Sequence, residues 1–164
     1  MSGKDVLVRL AAICAACAPA AGVASGVAAV GRTAPAFVLE DERGKEYTLN
    51  AFAGKPLVLN VFASWCPPCR QELPGIVAAA RTESGHVAFL GIDEQEPVQM
   101  GRAFARSMAI PYPVAYDHGQ FAASYGAASL PETIFVDADG KVTAIVHGAI
   151  ARAVLERELK AVQH

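Results

Sequence analysis

The chain is poor in charge and in aromatic side chains. Asp, Glu, Lys and Arg make up 18% of its 164 residues and Phe, Trp and Tyr only 7%, with a single tryptophan. Its 14 basic and 16 acidic residues leave a formal net charge of −2, so it lacks the cationic surface that nucleic-acid phosphates require. Four cysteines are too few for a disulfide-stapled scaffold. His86, His118, His147 and His164 share no metal-ligand spacing and read as surface or strand-end residues. No metal and no other cofactor is expected. From Gly31 onward there are no repeats, low-complexity tracts or dividing linkers, and the length excludes a multidomain enzyme.

Apolar residues, at 53%, are in surplus, and much of the surplus lies between Leu10 and Gly31, a run without one charge. Lys4 and Arg9 ahead of an apolar stretch, followed by small-residue sites around Ala18 to Ala24, read as an export signal. An uncleaved membrane anchor and a lipoprotein signal at Cys17 are the rival readings. Pro19 and the Ala/Gly composition count against the anchor, and Cys14 three places before Cys17 counts against the lipoprotein. All three place residues 31–164 outside the cytoplasm, in a periplasmic or tethered state, where cysteine pairs persist as disulfides.

Gly31 to Pro35 is expected to be a linker, and Phe37–Leu39 with Tyr47–Leu49 a hairpin around Gly44. Leu57–Ala63 is a continuous apolar run, as in a strand covered on both faces. Pro67–Arg81 follows as a helix bent at Pro74. Strands at Val87–Ile92 and Tyr112–Tyr116 and helices at Pro97–Met108 and Gly119–Tyr125 continue the alternation. Thr133–Val136 and Lys141–His147 flank the turn Asp137-Ala-Asp-Gly140, and Ala151–Val162 is a closing amphipathic helix. The pattern is that of an α/β fold whose mostly parallel sheet ends in an antiparallel pair. Asp93, Glu94 and Glu96 read as a solvated loop.

The cysteines form two C-x-x-C pairs. Cys14/Cys17 lies in the apolar leader with no strand before it, and small-residue composition accounts for it. Cys66/Cys69 follows a buried strand and opens a helix, where free N–H groups and the helix dipole stabilise a thiolate. Cys66 is therefore the candidate nucleophile and Cys69, one turn on, the candidate resolving thiol. The intervening Pro67 and Pro68 remove two amide donors and so alter the redox poise. A zinc or copper half-site is the alternative, but no second ligand pair lies near.

The segment Phe62-Ala-Ser-Trp-Cys-Pro-Pro-Cys-Arg-Gln-Glu-Leu-Pro74 resembles the active-site segment of the extracytoplasmic thioredoxin-like proteins of the TlpA, ResA and CcmG type. Ala34–Leu39, Gly44-Lys45, Gly54–Pro56, Tyr112–Val114, Leu130–Thr133 and Asp137–Gly140 extend the resemblance in order across most of the chain. It implies a thioredoxin fold: a mixed central sheet flanked by helices, with an N-terminal β-hairpin and a central insertion from Asp93 to about Asp117. It also implies reduction of protein disulfides, with electrons from a membrane thiol-disulfide carrier.

By the same resemblance the nucleophile falls on Cys66, the resolving cysteine on Cys69, the cis-proline on Pro131, the active-site glutamate on Glu72 and the preceding aromatic on Trp65. A cis-Pro131 would leave the backbone of Leu130 free to pair with a substrate, and Glu72 would move the resolving thiol's proton. Asn60 stands six residues before Cys66, where thioredoxin carries a buried aspartate; it cannot take a proton, which leaves that task to Glu72. The expected site is thus Cys66, Cys69 and Glu72, with Trp65, Pro67, Pro68, Leu130 and Pro131 meeting the substrate. That substrate would be a disulfide-bearing protein such as apocytochrome c or a copper-centre protein, and the chain a monomer. Two rivals stand beside this reading. One is a peroxiredoxin-type peroxidase, which needs a threonine where this chain has Ala63, and the other a copper-handling partner in oxidase assembly.

Overall fold

In the computed structural model residues 26–163 are described. Of the expected leader, residues 1–30, the part up to residue 25 with Cys14 and Cys17 lies outside the described residues, as does His164. In chain order the elements are β1 (Val38–Glu40), β2 (Glu46–Thr48), a 3-10 turn (Leu49–Phe52), β3 (Leu57–Phe62), α1 (Pro67–Thr82), β4 (Ala88–Glu94), α2 (Val98–Ser107), β5 (Val114–Asp117), α3 (Gln120–Tyr125), β6 (Glu132–Val136), β7 (Val142–His147) and α4 (Arg152–Ala161).

One seven-stranded sheet runs in the order β2-β1-β5-β4-β3-β6-β7. Parallel pairing is confined to β3, β4 and β5, the strands joined through helices; β6, β7 and the β1–β2 hairpin are antiparallel. The sheet is mixed rather than mostly parallel, because β6 enters beside β3 in the opposite sense. The hairpin attaches at Glu40 opposite Tyr116, a pairing between chain-distant segments that local pattern does not reveal.

Every residue of β3 is buried, and its alternation sorts the core into two layers. Leu57, Leu59 and Val61 face Phe37, Phe121 and Tyr125, whereas Val58 faces Ile76, Phe135, Leu155 and Leu159 beneath α1 and α4. Tyr125 is a core aromatic: it stacks on Phe121 at 4.1 Å and donates its hydroxyl to the Pro35 carbonyl at 2.6 Å.

Two local expectations are corrected, at Gly31–Pro35 and at Asp93–Glu94. Gly31–Pro35 is no free linker: it runs against the β7 edge, with Gly31 N–H on Val142 O, Val142 N–H on Arg32 O and Ala34 N–H on Gly140 O. Helix α1 runs without interruption from Pro67 through Pro74 to Thr82; Pro74 faces solvent, and its missing N–H leaves the Arg70 carbonyl without a helical donor. Asp93 and Glu94 are strand residues, 1% and 5% exposed, rather than loop residues, because β4 continues past its apolar run to pair with β5 at Tyr116 and Asp117.

Candidate active site

Strand β3 ends at Phe62, and Ala63, Ser64 and Trp65 carry the chain to α1. Cys66 caps that helix with an extended backbone, and its Sγ accepts the Cys69 N–H at 3.2 Å. Pro67 and Pro68 fill the first two helical positions, where an N–H would find no helical partner in any case. Cys66 and Cys69 are joined by a disulfide. Cys69 is wholly buried and Cys66 is 3% exposed, so Cys66 is the less enclosed residue of the pair. Once the bond opens, the helix N-terminus and the Cys69 N–H favour negative charge on Cys66.

The sulfurs are walled by Phe62, Ala63, Leu73 and Phe104, with Leu130 packed against them. The Leu130–Pro131 peptide is cis, and the Pro131 carbonyl takes the Gly148 N–H at 2.8 Å. Trp65 and Pro67 stand exposed at the rim and Pro68 is half-buried. The fold thus brings Cys66, Cys69, Leu130 and Pro131 to one end of the sheet and leaves Trp65, the chain's single tryptophan, open to solvent beside them.

Glu72 lies one turn beyond Cys69 on α1 and points inward. Its Oε1 accepts from Asn60 Nδ2 at 3.0 Å and its Oε2 from the Ile150 N–H at 2.8 Å. Burial raises its carboxyl from 4.5 to about 7 despite both donors. Glu72 is therefore a buried carboxyl poised near neutral pH, not a solvated helix carboxylate, and Asn60, which cannot itself titrate, serves as one of its donors.

Charged groups that pattern reading missed border the same site. Arg70 donates from Nε and Nη2 to the Ser64 carbonyl at 3.1 and 2.6 Å, while Glu96 Oε1 accepts the Ser64 N–H at 2.6 Å and Oε2 accepts its hydroxyl. Glu132, directly after Pro131, is fully buried and meets His147 Nδ1 at 2.6 Å through Oε2. Burial raises the Glu132 carboxyl, with His147 pulling the other way. The only signal for these groups in the sequence is their position: Glu132 beside the expected cis-proline, Asp93 and Glu96 at the end of a buried strand. Among the described residues, no three His, Cys, Asp or Glu side chains converge as a metal-ligand group, and no helix is long and apolar enough to cross a membrane.

Such a pair can exchange two electrons with another disulfide by sulfur-to-sulfur attack. Comparison with known proteins points the same way. Residues 30–145 match the AhpC/TSA family model. The thiol-disulfide oxidoreductase ResA of Geobacillus thermodenitrificans is 33% identical over 138 residues, covering 82% of this chain and 79% of that protein. Among solved structures, a thiol:disulfide interchange protein of the thioredoxin family from Chlorobium tepidum aligns with a TM-score of 0.73 at 28% identity, covering 83% of this chain and 100% of the other. A secreted Mycobacterium tuberculosis disulfide oxidoreductase homologous to Escherichia coli DsbE aligns at 0.70 and 26%, covering 76% and 95%.

Proposed function

The chain belongs to the AhpC/TSA family of thioredoxin-like proteins, and we propose that it is a thiol-disulfide oxidoreductase that reduces protein disulfides outside the cytoplasm. The observation that carries this reading is the Cys66–Cys69 disulfide at the N-terminus of α1, with Cys66 as helix cap and the less enclosed residue of the pair.

In the reduced protein the Cys66 thiolate attacks one sulfur of a substrate disulfide. That S–S bond breaks, a mixed disulfide forms, and the departing thiolate takes up a proton. Glu72 as carboxylate accepts the Cys69 proton, and the Cys69 thiolate then attacks Cys66 Sγ. The mixed disulfide breaks, the second substrate thiolate is released and protonated, and the Cys66–Cys69 disulfide is restored. Two electrons pass to the substrate. Trp65, Pro67 and Pro68 offer an apolar rim to the substrate, and the Leu130 backbone before Pro131 offers strand-like hydrogen bonding. An oxidised product needs a further dithiol, and a membrane thiol-disulfide carrier is the donor suited to this compartment.

The proposed substrates are disulfide-bearing proteins of cytochrome c or respiratory metalloprotein maturation, an apocytochrome c or a copper-centre protein among them. The leader supports a periplasmic protein, free or tethered, acting as a monomer. The peroxidase reading is disfavoured because Ala63, wholly buried, stands where that chemistry needs a hydroxyl. The test is catalysis of insulin disulfide reduction by dithiothreitol, run beside peroxide consumption and Cu(I) retention against excess thiol. Catalysed insulin reduction that is lost in Cys66→Ser supports the proposal. Peroxide turnover, or stoichiometric copper retention without reductase activity, overturns it.

A further inference from the structure

Asp93 is 1% exposed, and neither of its carboxyl oxygens has a hydrogen-bond donor from the protein. It lies opposite Phe62 on β3, next to the turn into the cysteine loop. Helix α2 makes room for it at Gly101: a Cβ there would stand 1.3 Å from Asp93 Oδ2. A glycine inside a helix is unfavourable by about 1 kcal/mol relative to alanine, and here it admits the carboxyl. Glu96, three residues on, acts on the Asp93 carboxyl and adds to its rise. Two carboxyl groups can bond to each other only by sharing a proton. Glu96 already accepts the Ser64 N–H and hydroxyl, so the proton resides on Asp93.

We propose that Asp93 and Glu96 are positioning residues for Cys66: a carboxylic acid–carboxylate pair that latches the Ser64 peptide and thereby the loop carrying the nucleophile. The following peptide is held through the Ser64 carbonyl by Arg70, which also lies over the Phe104 ring at 4.6 Å. Ser64 is thus gripped from α1 through its carbonyl and from the insertion through its N–H and hydroxyl. The insertion's acidic residues act on the thiol through the backbone, without touching sulfur or substrate.

Burial, with Glu96 and Glu94 adding to it, pushes the Asp93 carboxyl up to about 9. The latch therefore holds at neutral pH and loosens in alkali, where two carboxylates would face each other. The surrounding groups leave that window clear. Tyr116 on β5 titrates at about 12, and Glu94, beside Asp117 on β5, at about 7. From α2, Arg102 is engaged with Glu42 at 2.8 Å, and Arg70 of α1 is bound to Ser64.

The latch serves the dithiol chemistry proposed above, but its test needs no substrate, so failure of one is distinguishable from failure of the other. Trp65, adjacent to Ser64, is the chain's single tryptophan and reports on this loop. In the oxidised protein, where no cysteine of the pair titrates, its emission is expected to change with a midpoint near pH 9. Asp93→Asn, which keeps the size and donates an amide proton to Glu96, is expected to lose that step while alkylating at wild-type rate at Cys66 after reduction at pH 7. Asp93→Ala and Glu96→Ala are expected to change that rate by about fivefold, the loss of one hydrogen bond's worth of positioning. Persistence of the alkaline step in Asp93→Asn, or unchanged alkylation in both alanine variants, overturns the proposal. Asp93→Asn carries the test should either alanine variant fail to fold.

Discussion

Asn60 Nδ2 donates to Glu72 Oε1 at 3.0 Å, across the interface between β3 and α1. An uncharged amide on the strand thus partners a titratable carboxyl on the helix. The pairing leaves one buried titratable carboxyl at this interface, in place of two carboxylates that would contest the same proton.

The first prediction follows from the raised Glu72 carboxyl, 4.5 unfolded and about 7 folded. A raised folded value favours the protonated native form. Its stabilising effect is complete below pH 4.5 and is lost as pH rises through 7, a change of about 3 kcal/mol. Glu72→Gln removes this dependence, since Asn60 can turn its otherwise unpartnered Oδ1 toward the new amide. Urea unfolding of both proteins across pH 4 to 8 is expected to show the variant gaining on wild type by about 3 kcal/mol as pH rises. Resolution of a mixed disulfide at Cys66 is expected to slow by about 100-fold in the same variant.

The second concerns Gly101 and Asp93. Gly101→Ala drives a methyl into the Asp93 carboxyl and is expected to cost about 3 kcal/mol in urea unfolding, at the upper end for overpacking. Asp93→Ala removes the obstacle, so the double variant is expected to be more stable than Gly101→Ala alone. A double-mutant cycle measures this coupling.

The third is His147→Ala, which leaves both oxygens of the wholly buried Glu132 without a donor. The expected destabilisation is about 2 kcal/mol at pH 8. It shrinks toward pH 4, because a protonated Glu132 loses less without its partner. Thermal unfolding at the two pH values checks the sign.

Much of this site was legible in the sequence, for identifiable reasons. The apolar run of β3 ending in Cys66-Pro-Pro-Cys69 marks a strand-to-helix junction wherever it occurs, and Asp137-Ala-Asp-Gly140 specifies its own turn through Asp137 Oδ1, which accepts from Asp139 and Lys141. Element ends differ from the pattern reading by one or two residues, as fraying and capping dictate. What escaped notice was burial of charge. Asp93 and Glu94 read as solvent-facing because their composition says so, and only the non-local pairing of β4 with β5 encloses them; Glu132 is enclosed in the same way by the pairing of β6 with β3. Shared protons then make that enclosure tolerable, and pairing of that kind has no linear signature. Glu94 beside Asp117 repeats the arrangement: the Phe121 and Ala122 N–H groups on Asp117 Oδ1 and Oδ2 hold that carboxyl low, while burial and Asp117 raise the Glu94 carboxyl to about 7.

The central claim is that Cys66 attacks and Cys69 resolves. Its most direct measurement is mass spectrometry of the adduct formed when reduced Cys69→Ser and Cys66→Ser variants meet a stoichiometric disulfide such as glutathione disulfide. The account expects Cys69→Ser to accumulate a stable mixed disulfide on Cys66 and Cys66→Ser, whose remaining sulfur is wholly buried, to form essentially none. An adduct on Cys69 in the second variant at a rate equal to that on Cys66 in the first would contradict it.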